Sequence, residues 1–369
     1  MLGVPAAPPA ATRPTLVVGD IGHRTRFHVG DEAMFDALVP GGRAPEDWIA
    51  VSSDPAHTTR RTGVPAIPRL GFDPRDDEAA REARLAAVLG FDGAGGAPAE
   101  DPAHAVLAAL DRAGALLVTG GGNLTSVWPE HLYERVALIE LAARRGLPIV
   151  VSGQTIGPDL RGRERQLLAD ALRHAALVGV REGASHALAA ELGVAPARLA
   201  LQLDDALFVG DEQSATDVPA SPWIAVTVPP LGAPSHERPI LGALARQLAA
   251  LAERTGARLV LIPHEGSLDG ALLRDRRVND ILVRELTRVG APVTALPVRD
   301  PAATAALTRR ADLVVSARYH PLVFGLAGGV PCLGIHLDEY TRVKTRGALW
   351  FAGLEAWSLP MEAAVEVLA

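Results

Sequence analysis

Arg318, Tyr319 and His320 follow directly on a short β-branched run, Leu313 to Val315, that is bounded by Ser316. Such a run reads as a buried parallel strand, so the triplet falls at its C-terminal end, where open α/β sheets hold their ligands. A guanidinium is a permanently charged planar fork that matches two-oxygen faces, and an imidazole exchanges protons near neutral pH. Pro321 suits the first turn of a helix running to Ala327 and stopped by Gly328 and Gly329. Its N-terminus adds a site that favours anions. The set suits an anionic substrate that must also gain or lose a proton. The competing reading of His320 is a ring satisfied by backbone that braces the helix start.

Lys344 joins this set through composition. The chain has 36 basic residues and Lys344 is its one lysine. A compact ammonium differs physically from the arginine fork used everywhere else. Its alternative is a solvated surface lysine in TRVKTRG.

The elements that must position these residues run through all 369 residues, enough for two domains. Hydrophobic residues make up 48% and charged residues 21%, the balance of a globular protein. The net charge is −7 and the arginines are scattered, which argues against a nucleic-acid footprint. Cys332 is the single cysteine, so an intrachain disulfide is impossible and a reducing compartment is expected. No apolar run approaches the ~18 residues of a membrane span. The expected location is the cytoplasm, with peripheral membrane contact left open. Residues 1–14, rich in Pro and Ala, read as a flexible leader and not as a secretory signal.

Strands are predicted at Thr15–Gly19, Trp48–Ser52, Ala115–Thr119, Pro148–Ser152, Leu177–Val180 and Leu199–Leu203, with helices between them. The first is followed by DIGHRTRFHVGDEA, in which Gly30 gives close backbone approach and Asp31 is placed to cap a helix. The glycine spacing does not match G-x-G-x-x-G. Gly120, Gly121 and Gly122 precede Asn123 at the next tip, a loop suited to an anion or sugar. Gln154 lies in the turn GQTIGP, and Arg181 ends a strand as Arg318 does, serving either a ligand or an ion pair with Glu182. Asp204 and Asp205 read as partners of loop amides. Residues 210–222 change to acidic, Ser, Thr and Pro character and read as a linker. Strands Trp223–Val228, Arg258–Ile262 and Pro292–Leu296 then lead to the Arg318 strand, with His264 and Glu265 at the second tip. The alternation predicts an α/β chain with two doubly wound, Rossmann-like domains, residues 15–209 and 223–369, facing a cleft. The last segment, after Gly347, is expected to pack across their junction.

With these motifs placed, GDEA at 30–33, VTGGGNL at 118–124, SGQTIGP at 152–158, VREGAS at 180–185, LDDALF at 203–208 and SARYHPLVFGLAGGVPCLGI from Ser316, followed by Lys344, form an ordered set. The chain thereby resembles the polysaccharide pyruvyl transferase family. The resemblance implies a GT-B-like fold and transfer of an enolpyruvyl unit from phosphoenolpyruvate to a sugar, usually ending as a cyclic ketal on two hydroxyls. One departure is His28, where the family commonly has Asn two residues before its first GD.

Phosphoenolpyruvate carries a carboxylate and a phosphate, so Arg181 and Arg318 are expected to grip it, with Tyr319 beside them and Lys344 on the leaving phosphate. His320 is the expected proton-transfer group, with Arg318 as its catalytic neighbour. Gly30, Asp31, Gly121, Gly122, Asn123, Gln154, His264 and Glu265 are expected to line the cleft or hold the acceptor. The scheme requires neither a metal nor a cofactor. The acceptor saccharide stays open as small, polymeric or lipid-linked. Two alternatives are a GT-B-type glycosyltransferase or epimerase using a sugar nucleotide, and a catalytically silent sugar-binding relative.

Overall fold

A computed structural model describes residues 13–24, 26–39, 43–92, 96–210, 219–220, 222–232, 234–270 and 273–367. Most of the expected leader and most of the 210–222 linker therefore lie outside the described residues. The N-terminal half contains β1 (Thr15–Val18), the short β2 (Phe27–His28), α1 (Val29–Leu38), β3 (Trp48–Ser52), α2 (Pro55–Thr62), β4 (Ala66–Pro68), α3 (Glu78–Phe91) and α4 (Ala103–Arg112). It continues through β5 (Ala115–Val118), β6 (Gly121–Leu124), α5 (Pro129–Arg144), β7 (Ile149–Ile156), α6 (Gly162–Leu172), β8 (Leu177–Val180), α7 (Gly183–Glu191) and β9 (Leu199–Leu201). The C-terminal half begins with β10 (Trp223–Thr227), α8 (Pro234–Thr255), β11 (Arg258–Leu261), β12 (Glu265–Gly266), α9 (Arg274–Arg288) and β13 (Val293–Ala295). It ends with α10 (Pro301–Thr308), β14 (Leu313–Ser316), α11 (Tyr319–Ala327), β15 (Cys332–His336), α12 (Glu339–Trp350), β16 (Ser358–Pro360) and α13 (Met361–Val367).

Each half is built on a parallel sheet. β1 (TLVV) and β10 (WIAVT) are buried along their whole length, as strands covered by helices on both faces must be. The N-terminal sheet runs β4-β3-β1-β5-β7-β8-β9, with β6 beside β7, and the C-terminal sheet runs β13-β11-β10-β14-β15-β16. Chain order therefore reverses between β1 and β5 in one sheet and between β10 and β14 in the other. Such reversals open a crevice beyond the strand ends.

The halves are joined in three ways. β2 pairs antiparallel with β12, and the Val29 amide donates to the His264 carbonyl at 3.0 Å. One apolar cluster draws Phe27, Val29, Ala33 and Met34 from the first half against Val314, Leu322 and Phe324 of the second. α12 packs on α7 so closely that a side chain at Gly347 would strike Glu182. Of the segment after Gly347, Ala348, Phe351 and Ala352 border one pocket with Leu203, Asp204 and Leu207 of the first half, whereas β16 extends the C-terminal sheet and α13 rests on α8. The crossing is thus made by α12 and the residues just beyond it, and a capping box at Asp338 and Thr341 fixes the start of that helix.

Three local expectations change. β7 continues through the predicted turn as far as Ile156, because Gln154 and Thr155 are fully buried, Gln154 and Ile156 pair with β6, and Gln154 pairs with β8. The glycines after β5 form β6 instead of an open loop. α11 starts at Tyr319, two residues before Pro321, and Asp31 sits inside the first turn of α1 instead of capping it.

Candidate active site

A cavity of about 280 Å³ lies between the two crevices. Asp20 beyond β1 and Gly122 and Asn123 beyond β5 face Pro229 beyond β10 and Ala317 to His320 beyond β14.

His320 stands in the first turn of α11 with its ring over Gly30 of α1, in space that a side chain at Gly30 would fill. Tyr319 meets the ring edge-on at 5.1 Å and Phe324 lies at 6.2 Å. Burial, reinforced by the Arg181 charge, holds His320 well below the usual imidazole range. It is therefore neutral at pH 7 and keeps a lone pair. Its Nε2 is buried without a hydrogen-bond partner among the described residues, with Asp204 Oδ2 3.8 Å away.

The two arginine forks are occupied. Arg318 Nε and Nη2 reach Asp275 Oδ2 and Oδ1 at 2.8 and 2.5 Å, and Nη2 also reaches Glu265 Oε2 at 2.6 Å. It still borders the cavity. Arg181 is fully buried and does not: Nη1 donates to Asp204 at 2.6 Å, Nε to Thr155 at 3.0 Å, and the guanidinium lies 4.2 Å from the Tyr319 ring centre. Of the two roles open to Arg181, ion pairing is the one this geometry displays. Tyr319 separates it from the cavity.

Lys344 projects from α12 into the cavity. Its Nζ approaches Tyr340 Oη at 3.3 Å and lies 4.8 and 5.6 Å from the ring centres of Tyr340 and Tyr319. It has no carboxylate partner among the described residues. Tyr340 donates to the Gly122 carbonyl at 2.5 Å, and a side-chain carbon on Gly122 would stand 2.6 Å from Nζ. This close approach explains the glycine. Asn123 lines the cavity, whereas Gly121 and Gln154 do not. The Gln154 amide is spent on the Thr119 carbonyl inside the sheet.

His264 and Glu265 both line the cavity. His264 is stacked 5.7 Å from Phe324 and held neutral by burial and by the neighbouring Arg318 charge. Glu265 takes Arg26 at 2.9 Å, Arg318 at 2.6 Å and His28 Nε2 at 3.2 Å, and stays ionised because these cations outweigh its burial. His28 Nδ1 meets Asp31 at 3.2 Å and Asp20 at 3.6 Å. Burial would lower His28, but its bonds to Asp20, Asp31 and Glu265 raise it well above the ordinary value. A neutral and a protonated histidine thus share the cavity. The ligand atoms of Asp20, His28 and Asp31 lie within 4.8 Å of one another, close enough for a cation. Here His28 and Arg69 already supply the positive charge, and the set works as an ion-pair network.

Sequence reasoning missed Asp20, Trp128, His131, Tyr340 and Asp275, and noticed His28 only as a departure. A signal existed for the first group: Asp20, His23, His28 and Asp31 crowd the single connection from β1 to α1.

Residues 49–339 match the description "Polysaccharide pyruvyl transferase". The chain belongs to this family. Family membership places it among pyruvyl transferases of polysaccharide biosynthesis. GDEA at 30–33 and Lys344 fall outside the matched span. No curated protein sequence matches the chain. Among solved structures, the UDP-GlcNAc 2-epimerase of Methanocaldococcus jannaschii superposes with a TM-score of 0.56 at 9% identity, covering 96% of this chain and 92% of its own. The Neisseria meningitidis enzyme of the same name, bound to UDP-GlcNAc, gives 0.58 at 12% identity over 96% and 90%. The Anabaena protein Alr3699/HepE, in complex with UDP and glucose, gives 0.51 at 12% identity over 96% and 94%. Similarity at these identities establishes the shared GT-B-like fold.

Proposed function

We propose that this family member moves the enolpyruvyl unit of phosphoenolpyruvate onto a pair of hydroxyls of one sugar, giving a cyclic pyruvate ketal and releasing phosphate. The observation that carries the reading is that one cavity is lined by a neutral imidazole, His320, and by an ammonium, Lys344, with no carboxylate partner among the described residues. In this scheme the methylene carbon of the donor gains a proton and becomes a methyl group. One sugar hydroxyl adds to the central carbon, phosphate leaves, and the second hydroxyl closes the ring. Of the two hydroxyl protons, one balances the proton gained by the methylene and the other leaves with phosphate.

His320 moves the proton, its ring already fixed by Gly30, Tyr319 and Phe324. Lys344 and the first-turn amides of α11, which have no intrahelical partner, meet the donor phosphate. The sugar-nucleotide alternative has the fold alone in its favour, and fold does not fix chemistry.

The test is phosphate release from phosphoenolpyruvate across galactosides, glucosides and mannosamine derivatives, with the product mass checked for an added pyruvyl ketal. His320→Ala is expected to bind the donor and lose most turnover. Binding of UDP-GlcNAc, with no phosphate released from phosphoenolpyruvate by any acceptor, would favour the alternative.

A further inference from the structure

The two ring nitrogens of His320 have different surroundings. Nδ1 is turned toward Gly30, which lies on the cavity wall. Nε2 is buried and has no hydrogen-bond partner among the described residues. The carboxylate that faces it is Asp204, whose Oδ2 stands 3.8 Å away. Asp204 is 3% exposed and is held at both oxygens: Oδ1 accepts the Ala206 amide at 2.8 Å, and Oδ2 accepts Arg181 Nη1 at 2.6 Å. A carboxylate oxygen has two lone pairs, so Oδ2 keeps one after Arg181 is served. The other carboxylate acting on the ring, Asp31, is committed to His28 at 3.2 Å.

We propose that Asp204 is the positioning residue of His320: it accepts the Nε2 proton, which leaves the Nδ1 lone pair toward the cavity, and it steadies the imidazolium formed during transfer. The inference rests on the pyruvyl-transfer reading for the reaction served, and adds which nitrogen works and what aims it. In that reaction the O–H bond of the attacking sugar hydroxyl breaks, its electron pair joins the central carbon of phosphoenolpyruvate, and Nδ1 takes the proton. The carbon–carbon double bond then takes that proton from Nδ1, and the methylene becomes a methyl group. Nε2 keeps its own proton throughout, so the ring ends neutral as it began. The Arg181 pairing fits this task. A free carboxylate would favour a protonated ring at rest, whereas Asp204 shares its charge with Arg181, which also meets Glu182 at 3.2 Å. The gap of 3.8 Å exceeds a hydrogen bond, and catalytic hydrogen bonds commonly tighten only when substrate is bound.

The experiment is long-range proton–nitrogen NMR on the full chain with isotope-labelled histidine, near neutral pH and without substrate, reading which ring nitrogen carries the proton. The His320 signals are those missing from His320→Gln. Wild-type His320 should be protonated at Nε2 and bare at Nδ1. In Asp204→Asn the amide oxygen can still accept from Arg181 while an N–H turns to Nε2, so the proton should move to Nδ1. That variant should lower kcat for phosphate release at least about tenfold with KM for phosphoenolpyruvate within about twofold, the split expected of a group that aims the base and not the donor. Its melting temperature should fall because Arg181 loses a charged partner, and rates are compared below the transition. A merely structural aspartate predicts that fall without the change of tautomer. The assignment is overturned if wild-type His320 carries its proton on Nδ1, if Asp204→Asn leaves the tautomer unchanged, or if its kinetic loss lies wholly in KM. Should Asp204→Asn fail to fold, the wild-type tautomer decides alone. Because the tautomer is read without turnover, an Nε2 proton that depends on Asp204, in a chain that never releases phosphate from phosphoenolpyruvate, would sink the pyruvyl-transfer reading and leave the pairing standing.

Discussion

Gly30→Ala is the perturbation whose effect follows most directly from the geometry. A methyl group there would overlap Nδ1, Cγ and Cε1 of His320. To reach ordinary contact near ~3.5 Å the ring must retreat by roughly 1–2 Å. Tyr319 and Phe324 pack against the same ring, so the retreat turns it away from its present direction instead of sliding it within one. Misplacing a reacting group by about 1 Å costs on the order of 10²-fold in rate. The fold should suffer less: overpacking costs about 1–3 kcal/mol, and replacing a helical glycine by alanine returns up to ~1 kcal/mol. The expected result is a kcat for phosphate release about a hundredfold lower, with a melting temperature only slightly reduced. The double variant Gly30→Ala with His320→Ala should be no slower than His320→Ala alone, because both act through one ring. A Gly30→Ala enzyme with near wild-type kcat, or additive effects in the double variant, would refute the argument that Gly30 exists to seat His320.

Lys344→Arg should lower kcat/KM for phosphoenolpyruvate at least about tenfold with melting unchanged, since a planar head cannot replace an ammonium held between Tyr319, Tyr340 and Gly122. Unchanged kinetics in Lys344→Arg and Lys344→Ala alike would return the residue to the surface. The histidines predict a pH profile of stability. His28 is raised above 6.5, so its contribution is complete below that value and is lost as pH rises through the folded pKa. His264 and His320 are lowered, so the unfolded chain binds protons that they do not, and stability falls as pH drops below 6.5. Thermal unfolding across this range should show both limbs, and His28→Asn should flatten the alkaline one alone; an alkaline limb unchanged in His28→Asn would contradict the ion-pair network.

The strands were legible because buried parallel strands are nearly continuous apolar runs, and β1, β5, β10 and β14 each carry one. The tips of β5, β11 and β14 then pointed to Gly122, Asn123, His264, Arg318 and His320, all of which border the cavity. What failed was whatever depended on pairing partners. SGQTI contains turn residues, and its extension as β7 is dictated by hydrogen bonds to β6 and β8 that local sequence does not display. The same holds for Arg181: its strand-tip position was visible, but Thr155 and Asp204, which bury it, lie 26 and 23 residues away. α12 was hidden because TRVKTRG has no apolar face of its own and is helical through its cap and its packing on α7. Trp128 and His131 were missed because a tryptophan before a proline reads as an ordinary helix start.

Arg318 poses the sharpest conflict between the two readings of a strand-tip arginine. Its fork is bidentate on Asp275, which is fully buried, and its second Nη2 contact is Glu265. Asp275 also accepts the His264 and Glu265 amides at 2.9 and 3.0 Å, and Glu265 reaches back to Arg26 and His28 across the cleft. If the fork turned to a donor carboxylate, Asp275 would be left as a buried charge held by two amides alone, and the link between β2 and β12 would lose a cation. Removing one partner of a buried pair costs about 3–5 kcal/mol, and the partial exposure of Arg318 trims that figure without abolishing it. On the proposed reading Arg318 holds the cleft together, and donor capture would fall to Lys344 and the start of α11. Arg318→Ala should lower the melting temperature, and Asp275→Asn in the same chain should restore part of it by removing the orphaned charge. Measured beside the KM for phosphoenolpyruvate, this separates the roles: a variant that melts like the wild type but binds the donor poorly would return the fork to the substrate.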